Sequence, residues 1–312
     1  MFGWIFLVVF AQFLNAIVAI VDKYIVSSPR MLRPFVYAFY VSALSSLSVF
    51  IFFLGDITIP FTSVSFPSFH NVVAPTMVIL SISFVAGIMF FGALVTLFSA
   101  LKRADASDVI PVAGATSAVS ALLLSTLLLN ASLTVGFAWG FLLLVIGTLI
   151  LSFFHFSLKT LLFSVSSGFM FGAHFISLKL LFVETTFDDA FFWSRFGIVT
   201  VALLVFLFLP HHRRQCISKS KEAGHKLWGL IIGNKILAGL GSIMLLKATQ
   251  LGDVSIIQAL GGLQFVYLLS FTVLFGKDLP QICGEKCSRR QLIQKSIAVS
   301  IIVVGFFILF LE

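Results

Sequence analysis

Ionisable side chains lie inside long apolar stretches in the second half of this 312-residue chain. Lys235, beside Asn234, is about eight residues from either end of its stretch, roughly 12 Å by helical rise, which is further than a lysine stem comfortably reaches. Arg195 and Lys179 lie nearer the ends of theirs, and His174 lies within the same stretch as Lys179. Ionisable groups at such positions usually face a cavity, and lysine and arginine donate charge-assisted hydrogen bonds to carboxylate or phosphate. The pattern predicts a polar cavity that binds a solute.

Structural roles remain open for the same residues. A lysine or arginine near a helix end can reach the membrane surface, and a buried histidine is often a hydrogen-bonded packing residue. Three neutral polar residues, Asn15, Gln258 and Gln264, could contact the solute or bond one helix to another. The sequence alone does not separate these roles.

The sign of the buried charge favours one class of solute. We find no Asp or Glu in the first apolar stretch before Asp22, and none at mid-depth in the others. A proton-driven exporter of cationic drugs needs a buried carboxylate that alternates between proton and cation. Positive residues suit an anionic or zwitterionic solute better, because a guanidinium binds carboxylate or phosphate bidentately. A polar cavity would also remove most of the cost of an unpaired mid-bilayer ammonium, roughly 3 kcal/mol.

The elements that must position these residues are membrane-spanning helices. Hydrophobic residues make up 60% of the chain and charged residues 10%, whereas soluble domains carry about a quarter charged residues. Helices of roughly twenty residues satisfy their own backbone in lipid. We therefore predict an all-α integral membrane protein with ten spans, and hydrophilic loops near 210–226 and 276–291. The predicted spans lie near residues 2–21, 34–54, 74–101, 109–129, 135–154, 160–182, 190–209, 227–247, 254–275 and 292–311.

The chain contains an internal repeat. Residues 100–107 fall on residues 248–255 with three identities, and a slightly different shift lays Lys23 on Lys179. Each half carries five spans, and five is odd, so the halves must cross the membrane in opposite directions. Such inverted repeats build many secondary transporters, which bind substrate where the halves meet. We assign residues 1–154 to the first half and residues 155–312 to the second. The identical pairs are Ala100 and Ala248, Asp105 and Asp253, and Ser107 and Ser255.

Helix-breaking residues occur at corresponding depths of the two halves. Pro111 and Gly114 lie in span four, and Gly261 and Gly262 lie in span nine. Matched interruptions of this kind indicate a transporter binding site. Close helix packing through small residues is the alternative explanation.

Basic residues are concentrated in one set of alternating loops, while the other set has essentially Lys247 alone. The positive-inside rule makes the first set cytoplasmic, so that ten spans would leave both termini outside. The net charge of +8 then reflects orientation and attraction to anionic headgroups. We do not expect nucleic-acid binding, because no basic domain stands clear of the bilayer.

Two segments resemble one transporter family. Residues 100–111, followed by an apolar helix and the turn at residues 130–134, resemble the hallmark stretch of EamA-type members of the drug/metabolite transporter superfamily. Residues 247–255, leading to residues 275–279, resemble the same stretch again. The resemblance implies ten spans as five plus five, and a plasma-membrane permease that moves small metabolites, often outward, by alternating access. It also implies cytoplasmic termini, opposite to the loop charges, and the acidic residue usual after span four is absent here.

We therefore expect a secondary transporter that exports a small organic metabolite, with membrane lipid and the solute as partners and a homodimer left open. A carrier for sugar-nucleotides or lipid-linked intermediates shares this layout, and side portals or a strongly basic cavity would favour it. An enzyme would need paired carboxylates or a metal-binding histidine cluster, which the sequence lacks. We expect no cofactor and no metal, because Cys283 and Cys287 have no second pair.

Overall fold

The computed structural model describes residues 3–27, 33–55, 67–130, 135–152, 157–222 and 224–275, and scattered positions between 293 and 308. Within these ranges the chain forms α-helices joined by short 3-10 segments, and no strand occurs. The 3-10 segments are Ser45–Leu54, Phe69–Asn71 and Leu260–Gly262. The α-helices are α1 (Gly3–Ser27), α2 (Pro34–Leu44), α3 (Met77–Leu101), α4 (Ala106–Leu129), α5 (Val135–Ser152), α6 (Leu158–Glu184), α7 (Phe187–Phe208), α8 (Pro210–Glu222), α9 (His225–Leu251), α10 (Val254–Ala259) and α11 (Leu263–Phe275).

Seven of the described helical stretches are long and apolar enough to cross a membrane. They are α1, α2 together with the 3-10 segment that follows it, α3, α4, α6, α7 and α9. Shorter apolar runs lie at Ala138–Gly147 and Leu260–Phe271, where spans five and nine are predicted. Most of the predicted tenth span lies outside the described residues. The fold is that of a helical membrane protein, and the count of ten spans stays a prediction.

The first helix continues beyond its predicted end. Helix α1 runs to Ser27 and therefore includes Asp22, which is buried. A charged residue usually marks the end of an apolar stretch, but here the carboxylate has buried partners in other helices and the helix does not need to stop. The predicted second span is not a single α-helix, because α2 continues as a 3-10 segment. Within that segment Ser45 and Ser48 donate to carbonyls three residues earlier, each at 2.6 Å.

The predicted interruption is present in span nine and absent from span four. Gly261 and Gly262 lie in the 3-10 segment between α10 and α11. Helix α4 passes without a break through buried Pro111, so the prediction of matched interruptions is wrong for the first half. Gly114 serves close packing instead, because a Cβ there would lie 2.6 Å from the ring of Phe265 in α11.

Glycines let the helices of the two predicted halves approach closely. A Cβ on Gly168 of α6 would lie 2.2 Å from a carbonyl oxygen of α4, and one on Gly172 would lie 2.7 Å from another. Helix α3 crosses α7 in the same way, since a Cβ on Gly87 would lie 2.6 Å from the carbonyl oxygen of Gly197. Small residues at such crossings are typical of helix association in membranes.

Helix α8 occupies a segment for which the sequence predicted a loop. It carries Arg213 and Arg214 outside the candidate spans, and it is anchored by Cys216. The side chain of Cys216 is buried, and its carbonyl oxygen accepts a hydrogen bond from Tyr40 of α2 at 3.1 Å. Burial raises the pKa of the Cys216 thiol to about 11.

We predict that Cys216 is unreactive in the folded protein. The thiolate is the nucleophile, and a pKa raised to about 11 keeps the group protonated at neutral pH, with labelling rising only as the pH approaches that value. With Cys283 and Cys287 replaced by Ser, a hydrophilic maleimide should label the denatured protein and leave the native protein unlabelled at neutral pH. Rapid labelling of the native protein would show that α8 does not dock as described.

Candidate functional site

A cavity of about 520 Å³ lies between the helices of the two predicted halves. Its walls come from α1 to α4 on one side and from α6, α7, α9 and α11 on the other. The volume is within the range of small-molecule sites, roughly 300–1,000 Å³. Most of the lining is apolar, and the polar side chains are few. The polar lining residues are Gln12, Asn15, Asp22, Ser45, Ser48, Ser117, Arg195, Lys235, Ser242 and Gln264.

Helix α9 positions much of the site because its faces have different neighbours. Lys235 and Ser242 are seven residues apart, two helical turns, so they lie on the same face and both line the cavity. Asn234 and Gly241 lie on the neighbouring face, against α1. The two helices run in opposite directions, since Gly241 lies beside Asn15 and Asn234 beside Val18.

An ion pair forms one end of the cavity. The Nζ of Lys235 lies 2.8 Å from Oδ1 of Asp22, and each side chain is about one-tenth exposed. Asn234 donates its Nδ2 to the same oxygen at 2.7 Å, and the hydroxyl of Tyr37 also donates to it. The expectation that the intramembrane charge is all positive, and that Lys235 is unpaired, is therefore wrong. Asp22 supplies the carboxylate that the sequence analysis placed outside the first span.

Arg195 of α7 lies at a different place in the cavity wall and keeps its charge. Its Nη2 donates to Ser242 Oγ at 2.8 Å, and its guanidinium carbon lies 5.0 Å from the ring centre of Phe191. The residue is only 6% exposed, yet its Nε has no hydrogen-bond partner. Among the described residues no carboxylate lies within 4.0 Å of Arg195. A buried charged donor without a protein partner is uncommon, and a bound anion or a water molecule in the cavity would satisfy it.

The buried acid nearest to Arg195 in sequence is used elsewhere. Asp189 accepts from Thr185 Oγ1 at 2.6 Å, from the backbone nitrogen of Val73 at 3.2 Å and from Trp193 Nε1 at 3.0 Å. These bonds fix the start of α7, where negative charge is favourable. Asp189 therefore holds the helix end and not the guanidinium.

The guanidinium and the ion pair are separated along α9. Arg195 bonds Ser242, whereas the ion pair is at Lys235, and two helical turns correspond to about 10 Å. Among the described residues, a solute in the cavity therefore meets one positive group at Arg195 and a neutral pair of opposite charges about 10 Å away.

Two of the predicted amide residues line the cavity between these groups. Asn15 Nδ2 donates weakly to Gln12 Oε1 at 3.4 Å, and Gln264 Nε2 donates to the backbone oxygen of Asn15 at 3.1 Å. The first contact joins neighbouring turns of α1, and the second joins α11 to α1. Both residues line the cavity wall. The side chain of Gln258 is not among those that the structure describes.

Two of the four predicted helix-breaking residues line the cavity. Gly114 and Gly261 line the cavity, whereas Pro111 and Gly262 are buried beside it and do not.

Lys179 has a structural role. Its Nζ donates to three backbone oxygens where α9 ends, those of Thr249 at 2.9 Å, Gln250 at 3.1 Å and Gly252 at 3.0 Å. A cation is favourable at a helix C-terminus, where carbonyl groups lack partners within the helix. Lys179 does not line the cavity, so it is not part of the site.

Lys23 makes the corresponding contacts in the first half. Its Nζ donates to the backbone oxygens of Leu101 at 2.7 Å and Ala104 at 2.6 Å, where α3 ends. It also lies 3.8 Å from Asp105. The sequence repeat aligns Lys23 with Lys179 and residues 101–104 with residues 249–252, so the aligned lysines cap aligned helix ends.

His174 is a packing residue. Its Nδ1 lies 2.9 Å from the backbone oxygen of Ala86 in α3, and its ring lies between Phe90 and Phe175 at centroid distances of 5.0 and 5.5 Å. It is buried and does not line the cavity. The contacts of His174 are therefore those of the packing residue that the sequence offered as the alternative.

Sequence reasoning missed three site residues: Asp22, Tyr37 and Ser242. A lysine deep in an apolar helix implies a buried acid, and Asp22 is only one residue beyond the predicted end of span one. The position of Asp22 next to the predicted end of span one could therefore have indicated the acid that pairs with Lys235. Tyr37 and Ser242 carried no signal of their own, because a lone tyrosine or serine in a span has no distinguishing pattern.

Comparisons with known proteins inform the fold only. No protein-family model matches the chain, and no curated protein matches it. A solved structure, described only as the crystal structure of a protein, aligns with 97% of this chain and 99% of its own, with 15% sequence identity and a TM-score of 0.62. Likeness at that identity shows a shared fold and carries no information on the substrate.

We predict that Asp22 and Lys235 depend on each other for stability. Replacing either partner leaves the other as an uncompensated buried charge, at a cost of about 3–5 kcal/mol. Asp22→Asn and Lys235→Met should each lower the thermal unfolding temperature in detergent, and the double variant should recover most of the loss. Single variants as stable as the parent, or a double variant as unstable as the sum of both, would contradict a direct ion pair.

Proposed function

We propose that the protein is a secondary transporter that moves a small organic anion or zwitterion across the plasma membrane by alternating access, in the outward direction. The observation that carries the proposal is the state of Arg195: a buried guanidinium on a cavity wall, whose Nε has no partner and which has no carboxylate within 4.0 Å among the described residues. A carboxylate, sulfonate or phosphate group in the cavity would supply the missing acceptors, and a guanidinium binds such groups in a planar, bidentate manner.

The ion pair extends the proposal to zwitterions. A solute long enough to reach from Arg195 to the Asp22–Lys235 pair, about 10 Å, would meet both an acceptor and a donor there. A positive group on the solute would bind near Asp22 while its acid group binds Arg195. The cavity thus suits an anion, with a second positive group tolerated at the far end.

The proposed transport mechanism requires two inverted halves, and two sets of contacts support them. The first helix of each half packs along the third span of the other half: α1 against α9, and α6 against α3. Lys23 and Lys179 cap the ends of the aligned helices α3 and α9. Both features follow from a repeat that lies in the membrane in opposite directions. The same architecture supports the proposed membership of the EamA-type family.

A membrane enzyme is the main alternative class. Catalysis would need a nucleophile and base in contact, or a metal-binding cluster. Across the described ranges, no group of three His, Cys, Asp or Glu side chains is placed to hold a metal ion. The acid that lines the cavity, Asp22, is engaged by three donors. Binding and release of a solute therefore accounts for the site better than a reaction does.

We predict that Arg195→Gln reduces export at least about tenfold, which corresponds to one lost charge-assisted interaction. The substrate is to be found by comparing metabolites released from cells with and without the protein, and the variant is then tested on that metabolite. Arg103→Gln is the matched control, because Arg103 is an exposed arginine that bonds the backbone of Ser99 and does not line the cavity.

The control should export at the parental rate at equal expression. An Arg195→Gln variant that is folded and exports normally would remove the basis of the proposal. Equal loss in both arginine variants would indicate a general effect of charge on insertion and not a binding role.

We predict that the ends of α1 and α6 lie on opposite sides of the membrane, because five spans separate them in the proposed repeat. Ser27 and Glu184 are exposed at these ends. In a cysteine-free background, an impermeant maleimide applied to intact cells should label one of Ser27→Cys and Glu184→Cys and not the other. Labelling of both from the same side would exclude inverted halves.

A further inference from the structure

Among the described residues, one side of the cavity wall carries exposed apolar side chains. Four of its lining residues are large, apolar and exposed: Leu47 at 43%, Ile232 at 42%, Ile236 at 59% and Leu240 at 44%. Three of them are spaced by four residues and form one face of α9, next to the face that carries Lys235. Leu47 lies opposite, in the 3-10 segment that follows α2. We call the gap between these four residues the side window.

The side window is closed at both ends by packed side chains. At one end Tyr40 of α2 meets Trp228 of α9, with ring centres 4.9 Å apart and perpendicular planes. At the other end Phe52 belongs to an apolar cluster that includes Leu246 and Ile243 of α9. The window is thus a slot between two contact points, and Ile232 to Leu240 span about 12 Å of it by helical rise.

The depth of the side window decides what lies outside it. Ile236 is near the middle of α9, whose bounds are His225–Leu251. The middle of a helix that crosses the membrane is in the hydrocarbon region, about 30 Å thick, and not at the aqueous surface. The window therefore faces acyl chains, which agrees with its apolar rim.

We propose that the substrate is a single-chain amphiphilic anion whose acid group binds Arg195 and whose chain extends through the side window into the bilayer. This inference rests on the proposed anion site at Arg195 and names the substrate class for it. Within the described residues the cavity provides Arg195 as a cation that no carboxylate pairs, in walls that are mostly apolar, and a short polar anion would leave those walls without partners. An alkyl chain that enters from the bilayer fills those walls and stays in apolar surroundings throughout.

An amphiphilic substrate that enters through the side window differs from a water-soluble metabolite in its path into the cavity. A chain that remains in lipid never has to leave the hydrocarbon, so only the head group must cross the cavity. A soluble anion would need an aqueous entrance and would be indifferent to the size of the window. Chain length and window size are therefore the two variables to test.

The test uses alkyl sulfonates, which are permanently charged and carry chains of increasing length. The purified full-length protein is reconstituted in phosphatidylcholine vesicles, and the flux of propanesulfonate, octanesulfonate and dodecanesulfonate is measured. We expect kcat/KM to rise at least about tenfold from propanesulfonate to dodecanesulfonate. Parental protein without any preference for the longer chain would overturn the inference.

A variant that narrows the side window provides the second arm. Ile236→Trp should lower kcat/KM for dodecanesulfonate about tenfold, the effect of an interaction worth roughly 1.4 kcal/mol, and leave propanesulfonate within about twofold. Leu230→Trp is the matched control, since Leu230 is an exposed leucine of α9 outside the cavity lining. This variant should transport propanesulfonate and dodecanesulfonate at the parental rates. Leu47→Trp narrows the window from the opposite wall and serves if Ile236→Trp fails to fold.

The outcomes separate the inference from the proposed function. Arg195→Gln should reduce the flux of short and long sulfonates alike. If it reduces neither, or if the parent transports no sulfonate, the anion carrier itself is disproved. If Arg195→Gln acts as expected while window variants affect both chain lengths equally, or neither, the anion site stands and lateral entry through the window is disproved.

Discussion

The contact between α1 and α9 depends on a buried ion pair. Asp22 and Lys235 come from opposite halves of the chain, and each is in an apolar helix that would exclude it alone. Together they are neutral, and Tyr37 and Asn234 supply further hydrogen bonds to the carboxylate. The pair ties three helices at one end of the cavity and fixes the rotation of α9. That rotation directs Ser242 towards Arg195 and the face with Ile236 towards the side window.

The buried cations are distinguished by what compensates each of them. Lys23 and Lys179 are compensated by helix-end carbonyl groups, and Lys235 by a carboxylate. Arg195 has one hydroxyl and an aromatic face, neither of which carries a full negative charge. An uncompensated guanidinium in a low-dielectric site is costly, and an anion bound there would remove that cost, which is the support for the proposed anion site. Within the described residues, Arg195 is therefore distinguished by the lack of a compensating negative charge and not by its positive charge alone.

Much of the fold could be predicted from the sequence because apolar length is a strong signal. The long spans follow from composition, and Arg195 and Lys235, which interrupt two of them, line the cavity. For Asn15 and Gln264 the sequence left cavity lining and bonding between helices open, and the structure shows both residues in the lining and bonded to each other. The errors arise where a tertiary contact decides. Asp22 was placed outside a helix because charge normally ends a span, and only its contact with Lys235 shows why it does not. Lys179 resembled a site residue because nothing in its own helix shows that the end of another helix lies within its reach.

The two proposed halves are packed differently at aligned positions, as alternating access between inverted halves would require. The repeat that aligns Ala100 with Ala248 also aligns Gly87 with Lys235, and the shift that aligns Phe35 with Phe191 aligns Gly197 with Val41. Gly87 and Gly197 are in backbone contact, so α3 and α7 are closed against each other. Lys235 and Val41 instead both line the cavity, so that α9 and α2 are held apart at the same relative position. If the two proposed halves exchange their packing, α2 and α9 approach each other and close the side window, while α3 and α7 separate at their crossing. Arg195 then moves with α7. The packing of the two proposed halves in this conformation therefore predicts the second conformation, in which each half adopts the packing that the other half has here.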